Sequence, residues 1–320
     1  MDVLSDAITA MRIGRPHSSR SVKRGPWGVR FPASDGAGFH VVLQGSAYLI
    51  PPAGSGAPVA LGPGDIVFLA HGNGHGLADH PETPLEDAQF NPDGSWIAPS
   101  RPDGPVQPAD TLMMCGAYQL DRRRAHPLLS ALPPYIHLPA RVGTHDRLRS
   151  AVDLLGAELA DPQPGSDAIV PALLDSLLLY LLRTWWLTDR PECPAGWAGA
   201  LSDPAVVAAL RALHEDPARP WTVQELGAQA GLSRAAFSRR FTTLVGQPPL
   251  TYLTWWRMTI AGRALREGDA PLRVLAQRAG YTSEFAFAKA FKREYGVAPG
   301  QYRAGRAAGP VRVNAACRSA

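Results

Sequence analysis

Apolar positions change rhythm along this chain, and the clearest rhythm lies near the C-terminal end, from Trp221 to Arg303. There they recur at helical spacing in two similar blocks, TVQELGAQAGLSRAAFSRRF (Thr222 to Phe241) and PLRVLAQRAGYTSEFAFAKAF (Pro271 to Phe291). Phe237 and Phe241, like Phe287 and Phe291, stand four apart, so both rings of a pair face one side of a helix and the positions between them face out. Side by side, Leu226, Ala230 and Gly231 answer to Leu275, Ala279 and Gly280 at an offset of 49 positions. One extra residue in the second turn moves the offset to 50, and Ser233, Phe237, Phe241, Gly246, Pro249 and Tyr252 then answer to Ser283, Phe287, Phe291, Gly296, Pro299 and Tyr302. So many matches in one order make an internal repeat.

Each block predicts a helix, a turn and a second helix. Gly231 and Gly280 stop the first helix, because glycine takes the left-handed backbone conformation at little cost. A hydroxyl follows, Ser233 in one block and Thr282 with Ser283 in the other, able to cap the next helix. A helix-turn-helix lays the exposed face of its second helix in the DNA major groove. On the first reader helix that face carries Ala235, Ser238 and Arg239, with Arg234 and Arg240 nearer the DNA backbone. On the second it carries Glu284, Phe285, Ala286, Ala288 and Lys289, with Lys292 beyond them. A helical bundle with solvated arginines is the plain alternative.

Upstream the rhythm is different. Met1 to Ile13 has apolar residues at Val3, Leu4, Ala7, Ile8 and Met11, the spacing of a short amphipathic helix that would dock on the domain following it. Arg15 to Arg24 is basic and poorly patterned, a loop or an early edge strand. From Trp27 the runs GVRF, FHVVLQGSAYLI, APVAL, GDIVFLA and HGLAD are apolar or alternating and broken by Gly, Pro and Asn, which predicts short antiparallel strands of a small barrel or jelly roll. Pro81 to Ala109 reads as a long surface loop, Thr111 to Leu120 as a closing strand, and HPLLSALPPYIHLP as a short helix and proline turn leading out of the barrel. His145 to Leu159 and Ile169 to Leu187 look helical, and the second is more apolar than one face needs for its own domain. Thr188 to Leu201, with its prolines, glycines and Trp197, reads as a linker.

Charge sharpens the picture. Between Asp203 and Arg303 there are 14 Lys and Arg against 8 Asp and Glu, a net of +6 in a chain whose total is +4. The basic excess therefore sits where DNA contact is expected. Three cysteines, Cys115, Cys193 and Cys317, are too scattered for a disulfide framework or a structural zinc site. No run of eighteen apolar residues occurs and the N-terminus is acidic where a secretory signal is basic, so a cytoplasmic, nucleoid-associated chain with no membrane span is expected.

The ending Gly280, Tyr281, Ser283, Phe287, Ala290, Phe291, Lys292, Arg293, Gly296, Pro299, Tyr302 and Arg303 resembles the DNA-binding domain of the AraC/XylS family of bacterial transcription regulators. The resemblance covers about a hundred residues and implies two reader helices held about one turn of DNA apart by a long connecting helix. That connector would be Pro249 to Arg266, with Trp255, Trp256, Arg257 and Met258. The second reader departs from many relatives in offering Phe285 and alanines, which suggests reading by methyl contacts and shape. The segment Phe39 to Leu77, with LGPGDIVFL and then His75, resembles a cupin-like sensor half found in a subgroup of the same family, as does TLMMCGAYQLD at Thr111 to Asp121. In such regulators the helices after the barrel commonly pair two protomers.

Together these readings give an α+β multidomain chain: a cupin-like β-barrel sensor over 1–140, a helical dimerisation segment over 141–190, a linker over 191–202, an all-α double helix-turn-helix over 203–304, and a basic, disordered tail over 305–320. The implied function is a sequence-specific, effector-responsive regulator and not an enzyme, read as an activator with repression as the alternative, with double-stranded DNA, a second copy of itself and RNA polymerase as partners, and a small molecule or an oxidant as effector. No cofactor is expected.

A cupin enzyme holds its metal with two histidines one residue apart, a nearby glutamate and a distant histidine. Here His40 stands alone, with no carboxylate between Val41 and Ala60, so the enzymatic set is missing. A metal site built from His40, His71 and His75 is the sharper reading of these residues, and satisfied or solvent-facing histidines the bland one. Cys115 lies in an apolar strand, where a thiol is usually an inert small hydrophobe. The resemblance adds that some regulators of this type respond to reactive chlorine or electrophiles through cysteine, which makes His40, His75 and Cys115 the effector-sensing candidates. A metal-dependent cupin enzyme fused to a DNA anchor, and a DNA-bending scaffold whose barrel has lost its ligand, are the competing readings.

Overall fold

The computed structural model describes residues 3–34, 36–90, 97, 104–120, 126–140, 145–188 and 196–305. They fall into two compact units. The β-rich unit takes 13–120 and 132–188, and the helical unit takes 3–12, 126–131 and 196–305.

The β-rich unit is built of two five-stranded sheets. One runs in the order β1 (His17–Lys23), β9 (Thr111–Gln119), β3 (Gly36–Gln44), β6 (Ile66–Leu69), β10 (Ile136–Leu138). The other runs β5 (Val59–Leu61), β4 (Ala47–Ile50), β7 (His75–Ala78), β2 (Gly28–Phe31), β8 (Glu86–Asp87). All pairs are antiparallel except β2 with β8. Side chains alternate across a strand, so every second residue of β3 and β9 points at the same core. Val42, Val67, Leu69, Met113 and Cys115 from the first sheet meet Ala47, Leu49, Leu61 and Leu77 from the second there. The arrangement is cupin-like, with the strand ladder divided into two sheets and not running round as one closed barrel.

Three elements of this unit correct or complete the reading from sequence. The basic stretch after Arg15 is an edge strand, β1, held to β9 over its whole length. The residues expected to turn out of the barrel after Pro134 instead form β10, a second edge strand on β6, because Ile136 and Leu138 bury on one side. The expected long loop contributes β8, and 91–96 and 98–103 within it lie outside the described residues.

Helices α3 (Asp146–Ala160) and α4 (Ser166–Thr188) pack on each other and on β1. Leu148, Ala151, Val152 and Leu155 of α3 and Leu174, Leu177, Leu178, Leu181 and Leu182 of α4 are buried, and Tyr118 Oη donates to the Leu174 carbonyl at 2.7 Å. Leu154 (59% exposed) and Ile169 (43%) remain open to solvent. By length and composition Ser166–Trp186 is apolar enough to cross a membrane, with mean hydropathy 1.4 and 33% of that window buried, a property that scanning for an unbroken apolar run misses.

The helical unit comprises α1 (Val3–Met11), α2 (Pro127–Ser130), α5 (Gly196–Ser202), α6 (Pro204–Glu215), α7 (Val223–Gln229), α8 (Arg234–Val245), α9 (Pro249–Glu267), α10 (Leu272–Arg278), α11 (Glu284–Tyr295) and α12 (Pro299–Ala304). The α9 helix serves two cores. Tyr252, Leu253 and Trp256 belong to its first half, while Met258, Ala261 and Leu265 join Leu275, Phe287, Phe291 and Tyr295 in the second core.

Two expectations fail in this unit. The N-terminal helix does not dock on the domain that follows it; α1 packs on α6 and α9, burying Val3, Leu4, Ala7, Ile8 and Ala10. The physical reason is visible at its polar edge. His214 Nδ1 lies 3.2 Å from Asp6 Oδ2, and His214 Nε2 lies 2.7 Å from Tyr252 Oη. The carboxylate takes the Nδ1 hydrogen, which leaves Nε2 to accept from the tyrosine. The second correction concerns the linker: 196–202 of it is the α5 helix, packed on α6 and α8 because Trp197 (3% exposed) and Ala200 (0%) bury in that unit. His126 completes this core. Its Nδ1 accepts from the Leu128 amide at 3.0 Å, and its ring meets Trp197 and Trp255 edge-on at 4.5 and 4.9 Å.

Candidate functional site

The first half of each repeat sets the angle of its reader helix. Gly231 (φ +67°) and Gly280 (φ +74°) make the left-handed turn predicted for them, and at Gly280 a Cβ would come within 2.6 Å of the Ala218 carbonyl oxygen. Arg257 secures the same place from α9, donating from Nε to the Pro217 carbonyl at 2.6 Å and from Nη2 to the Arg219 carbonyl at 2.9 Å. Ser233 Oγ accepts from the Ala236 amide at 3.3 Å and Ser283 Oγ from the Ala286 amide at 3.2 Å, so both reader helices, α8 and α11, begin on the serines. Phe237, Phe241, Phe287 and Phe291 are wholly buried, which turns the positions between them outward.

On α8 the side chains of Arg234, Ala235 and Arg239 are exposed and Ser238 is half-buried. Arg240 is exposed too, but its guanidinium is bound to Asp203 Oδ2 at 2.5 Å, while Asp203 Oδ1 accepts from the Val206 amide at 3.0 Å and caps α6. Arg240 therefore carries a contact within its own unit that sequence reading does not foresee. On α11 Glu284, Phe285, Lys289 and Lys292 are exposed and Ala286 and Ala288 half-buried. Phe285, at 79% exposure, exceeds every other exposed large apolar side chain among the described residues.

In the β-rich unit three of the singled-out residues come together. His40 on β3 and Cys115 on β9 are direct partners across an antiparallel ladder, which puts both on one face. His40 Nδ1 lies 2.9 Å from Cys115 Sγ. From the opposite sheet His75, paired with Phe31 on β2, brings its Nε2 to 2.7 Å from His40 Nε2. Phe31 stacks on the His75 ring at 5.0 Å and lies tilted against His40 at 5.0 Å.

Hydrogen-bond logic gives this row a direction. His75 Nδ1 stands 3.2 Å from the Asn73 carbonyl, which can only accept, so Nδ1 carries the hydrogen and the neutral ring's Nε2 is bare. His40 Nε2–H then donates to it, leaving His40 Nδ1 to accept from the Cys115 thiol. Electrostatics favours these neutral forms. Burial holds His40 well below the usual imidazole range, with His75 adding to the effect, and lowers His75 to about 4. Burial pushes the Cys115 thiol up to about 12, against the pull of the Lys23 ammonium.

His71 is turned elsewhere, its Nε2 donating to the Leu132 carbonyl at 2.8 Å. Among the described residues no three His, Cys, Asp or Glu side chains stand together as a metal set. His40 spends each ring nitrogen on a different neighbour, so the donors do not converge on one point as the ligands of a metal ion must. Cys193 and Cys317 lie outside the described residues.

Known proteins match both halves. A Cupin family model matches residues 2–186, and a Helix-turn-helix domain model matches residues 226–305. An AraC-like transcription regulator of Streptomyces lividans is 36% identical over 306 residues, 95% of this chain and 98% of its own. The HTH-type transcriptional regulator AlkR of Acinetobacter baylyi is 29% identical over 95% of this chain and 99% of its own. The RCS-specific HTH-type transcriptional activator RclR of Escherichia coli is 29% identical over 83% of each. Among solved structures, the DNA-binding domain of AdpA, a global transcriptional factor crystallised with a target DNA, is 35% identical over 33% of this chain and 95% of that one, with a TM-score of 0.31.

Proposed function

This chain belongs to the AraC-type family of DNA-binding transcription regulators, joined to an N-terminal cupin half, and from that premise we propose how its residues divide the work. Base reading falls to Ala235, Ser238 and Arg239 on α8 and to Glu284, Phe285, Ala286, Ala288 and Lys289 on α11, with Arg234 and Lys292 on phosphates. Arg240 is left to Asp203 and contributes to DNA only through the field of its charge. The observation that carries this reading is the repeated geometry: two serine-capped helices, each with a buried phenylalanine pair behind and a basic residue exposed in front.

Effector response is assigned to the row Cys115, His40, His75. A reagent that forms a bond to Sγ needs the thiol proton removed, and His40 Nδ1 is placed to take it while the Nε2 hydrogen passes to His75. A relative named as an RCS-specific activator supports an effector of that class for this chain. Two copies pair through α3 and α4; the open Leu154 and Ile169 and the partly covered apolar surface of α4 support that surface over a membrane role. The chain works in the cytoplasm as an activator in contact with RNA polymerase.

Footprinting of the full chain on DNA upstream of its own gene, with and without oxidant and in the Cys115→Ala variant, tests this. One protected stretch whose protection changes with oxidant in the wild type only is the expected result. Salt-sensitive binding blind to sequence refutes the reader assignment, and an oxidant response that survives in Cys115→Ala refutes the sensor assignment.

A further inference from the structure

The two reader helices differ in the turn that meets base edges. Ser233 and Ser283 hold the same cap position, so Glu284 and Phe285 stand where Arg234 and Ala235 stand in the first repeat. The leading residues of a recognition helix are the ones that touch bases. Phe285 is thus in the reading turn, and it is 79% exposed. Residues three, four and seven further on share its side of the helix: Ala288, Lys289 and Lys292.

That face lacks the planar forked groups that read a base pair with two hydrogen bonds. Arginine, asparagine and glutamine do so with flat forked heads, and none stands among Glu284, Phe285, Ala288, Lys289 and Lys292. The lysines, both exposed, are compact charges without that planar fork, Lys289 beside the base edges and Lys292 on phosphate. A large apolar ring with cationic neighbours fits a polyanion that presents an apolar group, and in the major groove that group is the C5-methyl of thymine.

We propose that Phe285 reads a thymine methyl in the half-site of the second helix-turn-helix. The first half-site is then read by hydrogen bonds from Ser238 and Arg239, and the second by a methyl contact beside the polar groups of Glu284 and Lys289. The inference rests on the DNA-reading assignment above and adds the chemical group that is recognised.

The test is a scan of the protected stretch in which each thymine in turn is replaced by uracil, a change that removes the methyl alone. Full chain and its Phe285→Ala variant are compared by equilibrium binding, and circular dichroism checks that the variant keeps its helix content. Expected is a uracil position that weakens the wild type about fourfold, the factor set by one buried methyl-sized group, and that Phe285→Ala does not sense. A scan with no position sensed through Phe285 overturns the proposal while leaving specific binding intact. So does a uniform loss in Phe285→Ala on every DNA, which marks a wedge between base steps, or a loss of transcription activation with DNA affinity unchanged, which marks a protein contact. A wild type that protects no stretch overturns this proposal and the reader assignment together.

Discussion

Replacing Ile8 with alanine removes Cγ1, Cγ2 and Cδ1 from a side chain only 4% exposed. At about 0.8 kcal/mol per buried methylene-sized group the transfer loss is about 2.4 kcal/mol. The gap left behind adds to it, but α1 is a single short helix and can settle inward, which keeps the total near about 3 kcal/mol, low in the range for such changes. What makes the variant informative is where the loss falls. Ile8 sits on a helix that packs on α6 and α9, so the helical unit should loosen although the mutation is at the other end of the sequence. Hydrogen exchange resolved by segment reads this directly. Amides of α6 and α9 that exchange through opening of the unit should speed up on the order of a hundredfold, with β3 and β9 unchanged. Faster exchange in β3 and β9, with α6 and α9 still protected, would refute the reasoning and return the helix to the domain that follows it.

Arg239→Ala should cost about 1–3 kcal/mol of binding to the protected DNA and relax preference at one base position; a uniform loss on all sequences would mark a phosphate contact instead. Asp203→Ala should lower thermal stability by about 1 kcal/mol, chiefly through the lost α6 cap, since its partner Arg240 is 52% exposed and screened. Arg240→Ala should correspondingly harm DNA affinity less than Arg239→Ala, and the opposite order in a binding titration would sink the structural role given to it. Acid should act through the sensor row. His75, lowered to about 4, stays neutral in the folded chain while the unfolded chain takes up a proton below about 6.5, so the unfolded state binds more protons in that window. Stability of the β-rich unit should therefore fall from pH 6.5 toward 4, with His75 contributing up to about 3 kcal/mol of the loss beside His40, and His75→Gln should make that slope shallower in urea unfolding. Equal slopes in both proteins would contradict the burial given for the histidine.

The readable parts of this molecule are the ones whose information is local. Phe237 with Phe241, the turn at Gly231 and the cap at Ser233 lie within a few residues of one another, and the repeat states them twice. The connector foreseen as Pro249 to Arg266 is α9, Pro249–Glu267. What stayed hidden depends on pairing at a distance. An amphipathic stripe at Val3, Leu4 and Ile8 says that a face is buried and not against what; the partner of Asp6 is 208 residues away at His214. His40 and Cys115 each stood out by residue type, but it is the β3–β9 register, across 75 residues, that makes them neighbours. Phe31, which stacks on His75, had no signal beyond an apolar strand. Trp197 was the one clue that the proline- and glycine-rich connection after Thr188 ends in a packed helix.

The discontinuous helical unit also bears on how the chain is made. Its first helix leaves the ribosome roughly 200 residues before the helices it packs on, a wait of about 10 to 40 s at usual translation rates. Throughout that interval Val3, Leu4 and Ile8 have no core to enter, and the β-rich unit can finish folding first. Nascent chains of this protein should therefore present α1 as an uncovered hydrophobic segment that a chaperone can hold, released only when α6 and α9 have emerged.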